Sequence, residues 1–163
     1  MPKLCTKTGS NVFNSARYDA ARFNERMSSR EGAAETTGIE RSRLARIELG
    51  TTSPYPEEVI LLADAYNAPE LMNYYCTNLC PIGRRIAPKA ECHQLDRMAI
   101  KILSSLDGLK GLGKVMVRIA ADGKVTQNEI PELNRILDAF NQAAKTAAEM
   151  QIWMTKYVKE EKG

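Results

Sequence analysis

Apolar residues recur at three- and four-residue intervals along almost the whole chain, while strictly alternating runs are scarce. That period marks helices with one buried face and predicts an all-α protein. The first helix is expected over about Asn14–Met27, with Tyr18, Ala21 and Phe23 among its apolar positions. Ser28 and Ser29 can cap a short helix from Arg30 to Thr37, and Gly38 supplies the left-handed exit that ends it. A third helix runs from about Glu40 to Leu49 and stops at Gly50. Two prolines punctuate the loop Thr51–Pro56. Pro56 opens a fourth helix through about Tyr66, since a first-turn residue has no helical use for its N–H. Pro69 opens a fifth, which ends before Pro81.

The stretch Pro81–Lys89 holds two prolines, a glycine and three cations. It reads as a linker over residues 81–89, between a first domain at 12–80 and a second, smaller helical domain at 90–160. In the second, helices are expected over about Glu91–Leu106 and Lys114–Ala121, separated by the glycine-rich Asp107–Gly113. Thr126 and Glu129 have capping-box spacing, with Asn128 as the alternative cap before Pro131. The last helix, from about Asn128 to Lys159, is long. Ile130, Leu133, Leu137, Phe140, Ala144, Ala147, Met154 and Val158 keep a three-four repeat, and Ile136, Ala143, Met150 and Tyr157 widen it on one flank. Some thirty residues make about 45 Å of helix, more than a small domain needs to close its own core. Either a partner helix, for instance from a second copy, covers this stripe, or one chain buries it as an ordinary amphipathic helix.

Charge changes this picture locally. The net charge of +3 is too mild to name a partner. Residues 1–53, however, carry Lys3, Lys7, Arg17, Arg22, Arg26, Arg30, Arg41, Arg43 and Arg46 against six acids. Arginine is the cation that forks onto phosphates and guanine edges. No apolar run is long enough to span a bilayer, and the first residues lack a signal peptide's apolar stretch, so a cytoplasmic protein is expected. With His93 the only histidine, the usual acid–base residue is nearly missing and no enzymatic activity is expected.

The segment Ser29–Pro54, SREGAAETTGIERSRLARIELGTTSP, joins a short helix, a glycine turn and a second short helix. This is the plan of a helix-turn-helix. Small Ala34 lets the two helices approach, Gly38 makes the bend, and Ile39, Leu44 and Ile47 point inward. Arg41, Ser42, Arg43 and Arg46 are then left pointing out, as a helix entering the major groove requires. The segment resembles the lambda-repressor-like (Cro-type) helix-turn-helix family. Ala34, Gly38, Ile39, Leu44, Ile47 and the phrase Ile47-Glu48-Leu49-Gly50 followed by Pro54 carry the likeness, with Val59, Leu62 and Ala63 fitting beyond it. It covers about residues 13–75 and implies a five-helix DNA-binding domain. The resemblance implies that Arg41, Ser42 and Arg46 read bases and that Arg43 reaches phosphate. It places Ser29, Arg30, Thr51 and Thr52 along the DNA backbone. It also implies that Glu48 pairs with an arginine of the first helix, for which Arg22 and Arg26 are the candidates. Arg30 stands where the family most often has glutamine.

Cys76 and Cys80 lie four apart, which on a continuous helix is one face, and Cys92 and His93 follow. Four such ligands could close a tetrahedral zinc site; the alternative is that the thiols simply pack as small apolar groups, with no cofactor. The resulting expectation is a sequence-specific transcriptional regulator, a repressor binding double-stranded DNA as a homodimer through its C-terminal helix. The alternatives are a helical protein-interaction module and a metal or thiol sensor with DNA binding as its output.

Overall fold

The computed structural model describes residues 11–158, so Lys3, Cys5 and Lys7 lie outside the described residues. The regular structure of the described residues is all helical, without strands, as the apolar period predicts. The chain divides into two compact units between Ala87 and Pro88.

The first unit opens with α1 (Val12–Ala20), shorter than expected and starting earlier. Asn11 caps it by accepting the Phe13 N–H at 2.9 Å. The chain then turns at Ala21–Phe23, and a 3-10 turn, Glu25–Ser28, leads into α2 (Arg30–Thr37) and α3 (Arg41–Glu48). This break corrects the single helix expected over 14–27. It leaves Phe23, expected on a buried face, 94% exposed. α4 (Pro56–Tyr66) and α5 (Glu70–Tyr74) follow, and α5 widens into a π-helical turn, Tyr75–Leu79. Phe13, Met27, Leu44, Ile47, Leu62 and Leu71 anchor the core.

Most of the expected linker belongs to this unit. Gly83–Ile86 forms a short helix, α6, whose first residue packs on the π-helical turn. A Cβ on Gly83 would lie 2.2 Å from the Cys76 carbonyl oxygen, so only glycine permits that approach. The π-helical turn also corrects the cysteine geometry. Cys80 leaves the helix with extended backbone, and its Sγ accepts the Gly83 N–H at 3.3 Å. Cys76 and Cys80 therefore do not share the face of one continuous α-helix. Cys76 and Cys80 are free thiols, and among the described residues no three His, Cys, Asp or Glu side chains form a group that could hold a metal ion.

The second unit consists of α7 (Leu95–Gly108), α8 (Leu112–Ala120) and α9 (Ile130–Tyr157). Thr126 donates both its N–H and its hydroxyl to Glu129, closing the turn that feeds α9. One small cluster, Leu112, Ile119 and Ile136, joins α8 to α9. α7 buries Met98 and α9 buries Ile152, and polar pairs also join the two helices. Lys101 Nζ lies 2.8 Å from both oxygens of the fully buried Glu149, and His93 Nε2 lies 3.4 Å from one of them. The hydroxyls of Ser105 and Thr146 are 2.7 Å apart. Burial by itself would raise the Glu149 carboxyl, but the Lys101 contacts, then His93, outweigh it and hold it below the ordinary value.

Of the expected stripe on α9, Leu133 packs against the buried cluster, and most of the rest faces outward. α9 buries Ile136, Thr146, Glu149 and Ile152, while Ile130, Leu137, Phe140 and Met154 stay exposed. The flank expected only to widen the stripe includes Ile136, the residue that enters the core.

Candidate nucleic-acid interface

Two glycines set the angle of the α2–α3 pair. Gly38 ends α2 at φ +72° and its N–H closes on the Ala34 carbonyl at 2.8 Å, which turns the chain into α3. Gly32 acts at the other end of α2. A Cβ there would sit 2.2 Å from the Arg26 carbonyl oxygen, so its absence lets the 3-10 turn lie directly on the first turn of α2. Ser29 caps that turn by accepting the Gly32 N–H at 3.0 Å. Ile39, Leu44 and Ile47 are buried as expected. The small residue wholly enclosed in α2 is Ala33, whereas Ala34 is only half-buried.

α3 is held from behind by an ionic cluster. Arg17 of α1 donates to Glu48 at 2.6 and 3.2 Å and to the Met27 carbonyl at 2.8 Å, all within the core. Arg30 donates to the second Glu48 oxygen at 2.7 Å. The partner of Glu48 is thus Arg17 rather than Arg22 or Arg26. Those two lie past the end of α1, while Arg17 shares the inward face with Phe13. Burial, and then the Glu48 charge, push the Tyr66 phenol well above its usual range. Asn11 adds a polar tie, donating its amide to the Ile47 carbonyl at 2.8 Å.

On the opposite side, α3 exposes Arg41, Ser42 and Arg46, and Leu49, which follows it, is exposed as well. Arg41 pairs with Glu31 of α2, and both remain largely in solvent. The Glu31 carboxyl is held below its ordinary value by its own backbone N–H first and by Arg41 second. The Ser42 hydroxyl donates to Glu40 at 2.5 Å. Arg46 is exposed and belongs to no ion pair formed among the described residues. Thr51 follows α3 and returns its hydroxyl to the Arg46 carbonyl at 3.1 Å, while the Thr52 N–H reaches the same carbonyl at 3.3 Å.

Arg43 departs from the expected outer face. It donates to both oxygens of Glu58 at 2.8 Å and to the Ser53 carbonyl at 3.3 Å, and its guanidinium lies 4.5 Å from the centre of the Tyr55 ring. Glu58 in turn accepts the Tyr55 N–H at 2.7 Å, so one carboxylate fixes both the start of α4 and the side of α3. The Arg43 hydrogen bond is the main cause that holds the Glu58 carboxyl below its usual value. Sequence spacing gave no sign of this, because Glu58 lies 15 residues away.

Among the described residues, no helix is long and apolar enough to cross a membrane. The solvent face of α3 thus combines a bidentate donor, a hydroxyl and a second cation on a short helix braced from behind, a geometry suited to base edges in a major groove. No curated protein and no solved structure matches the chain. Residues 20–71 match the family model described as Helix-turn-helix, and with the buried Ile39, Leu44 and Ile47 behind α3 they make this segment a lambda-repressor-like helix-turn-helix of the DNA-binding kind.

Proposed function

We propose that the protein is a sequence-specific transcriptional repressor that binds a two-fold operator in double-stranded DNA as a homodimer, through its C-terminal helix. The observation that carries the DNA reading is α3 itself, which shows Arg41, Ser42 and Arg46 to solvent while Leu44 and Ile47 lock its other side. In this reading Arg41, Ser42 and Arg46 contact base edges. Ser29, Arg30, Thr51 and Thr52 lie along the phosphates, where the N-terminus of α2 adds its partial positive charge. Arg43 serves the domain rather than the DNA, since its donors are already committed to Glu58 and Ser53.

A comparison of two arginine variants tests the assignment. Arg41→Ala should weaken operator binding by about 1–3 kcal/mol, relax discrimination at one base pair and leave the melting temperature unchanged. Arg43→Ala should lower the melting temperature and affect all DNA sequences alike. Binding titrations on operator and scrambled duplexes, with thermal melts of both variants, distinguish these patterns. An Arg41→Ala protein that discriminates as the parent does would remove α3 from the interface.

A further inference from the structure

The second unit exposes large apolar side chains on two helices: Leu95, Ile100, Leu103 and Leu106 on α7, and the outer face of α9. Leu137 and Phe140 are 57% and 58% exposed, and Ile130 and Met154 are 44% and 45% exposed. Side chains at this spacing keep to one side of a helix. Together they leave on the order of 500 Å² of apolar surface per copy, as much as the largest patch on a typical monomer. Two such faces bury about 1,000 Å² before their polar rims are counted, which reaches the size of a specific interface.

The order of side chains along the face points to its occupant. Its middle is small, Ala144 and Ala147, and its large residues lie on either side, Leu137 and Phe140 before, Met154 after. We infer that α9 of a second copy covers this face, running antiparallel about a two-fold axis that passes between Ala144 and Ala147. The inference rests on the dimeric reading above and gives it a register. Reversal about that axis sets Ala144 against Ala147 of the partner subunit and Leu137 against Met154 of the partner subunit. The helices approach closely at their centre and fill the space towards both ends, each contact occurring twice. Parallel pairing would set Phe140 against itself and hold the helices apart where the alanines need to meet. Antiparallel helix dipoles also attract, whereas parallel ones repel. The α7 seam is on the other side of α9, through Thr146, Glu149 and Ile152, so pairing leaves the unit's own contacts intact.

A charge exchange on the full chain tests both the surface and its direction. Sedimentation equilibrium should show the parent as a dimer at micromolar concentration. Leu137→Asp and Met154→Lys should each weaken dimerisation by on the order of tenfold or more, with helix content unchanged because both positions are exposed in the protomer. The double variant should regain most of the loss, since each Asp faces a Lys of the partner subunit only in the antiparallel register. A double variant that stays monomeric beside a dimeric parent overturns the register, as do single variants that dimerise like the parent; in both cases the dimeric reading stands. A parent that is monomeric at tens of micromolar, with and without operator DNA, overturns the inference and the dimeric reading together, while the Arg41→Ala comparison still judges DNA binding separately.

Discussion

Glu48→Ala should unfold the first unit under conditions where the parent is stable. Glu48 is almost fully buried and accepts from two arginines, Arg17 at 2.6 Å and Arg30 at 2.7 Å. Removing the carboxylate leaves the Arg17 guanidinium in the core with the Met27 carbonyl, a long contact to Asn14 and the face of the Tyr18 ring, none of which carries a charge. Orphaning one member of a buried pair costs about 3–5 kcal/mol, because the stranded charge loses its partner without regaining water. Small domains are stable by only about 5–15 kcal/mol. The melting temperature should therefore fall by at least about 12 °C, and DNA binding should fall with it. Arg17→Met combined with Glu48→Leu replaces charge by apolar volume and should recover part of the loss. A calorimetric scan checks both. Equal melting of parent and Glu48→Ala protein would show that α3 is held by its apolar contacts alone.

The second large effect belongs to Glu149. Glu149→Ala removes the acceptor for Lys101 and the carboxylate beside buried His93. Lys101 is a quarter exposed and can turn towards water, which puts the expected cost near the lower end of the buried-pair range, about 3 kcal/mol. The same carboxylate makes the second unit sensitive to acid. Its folded-state value is depressed, so the unfolded chain binds the proton more readily. The contribution is fully present above the ordinary glutamate value, about 4.3, and is lost as pH falls through that value to the depressed one. Thermal melts from pH 7 down to 3 should show the parent losing this increment and Glu149→Gln lacking it at every pH. Parallel pH curves for the two proteins would exclude Glu149 as the source.

Much of the helix-turn-helix was legible in the sequence, because local signals decide it. Ser29 caps, Gly38 turns, and Ile39, Leu44 and Ile47 keep a helical period, so α2 and α3 lie close to where that pattern places them. What escaped depends on residues distant in sequence. Arg43 sits beside the outward residues on an eight-residue helix, and only the arrival of Glu58 from α4 turns it inward. Arg17 has the composition of a surface cation until Glu48 and the Met27 carbonyl enclose it. Gly32 looks like a weak point in a helix, and its use appears only once the Arg26 backbone lies on it. On α9 the period showed a helix with surplus apolar surface but not which flank faces inward. That choice fell to the α8 residues Leu112 and Ile119 and to the polar pairs with α7.

The two units differ greatly in what they enclose. The first surrounds a dozen buried apolar side chains, whereas the second buries six, of which only Leu112, Ile119 and Ile136 form a cluster. If a second copy supplies the missing cover, the two halves obey different laws of mass action. Heat should melt the first at a temperature indifferent to dilution, and the second at one that climbs with protein concentration. A cell making few copies would then hold a folded DNA-reading half joined to a half that is often open to proteases, so abundance would itself decide how long each molecule persists.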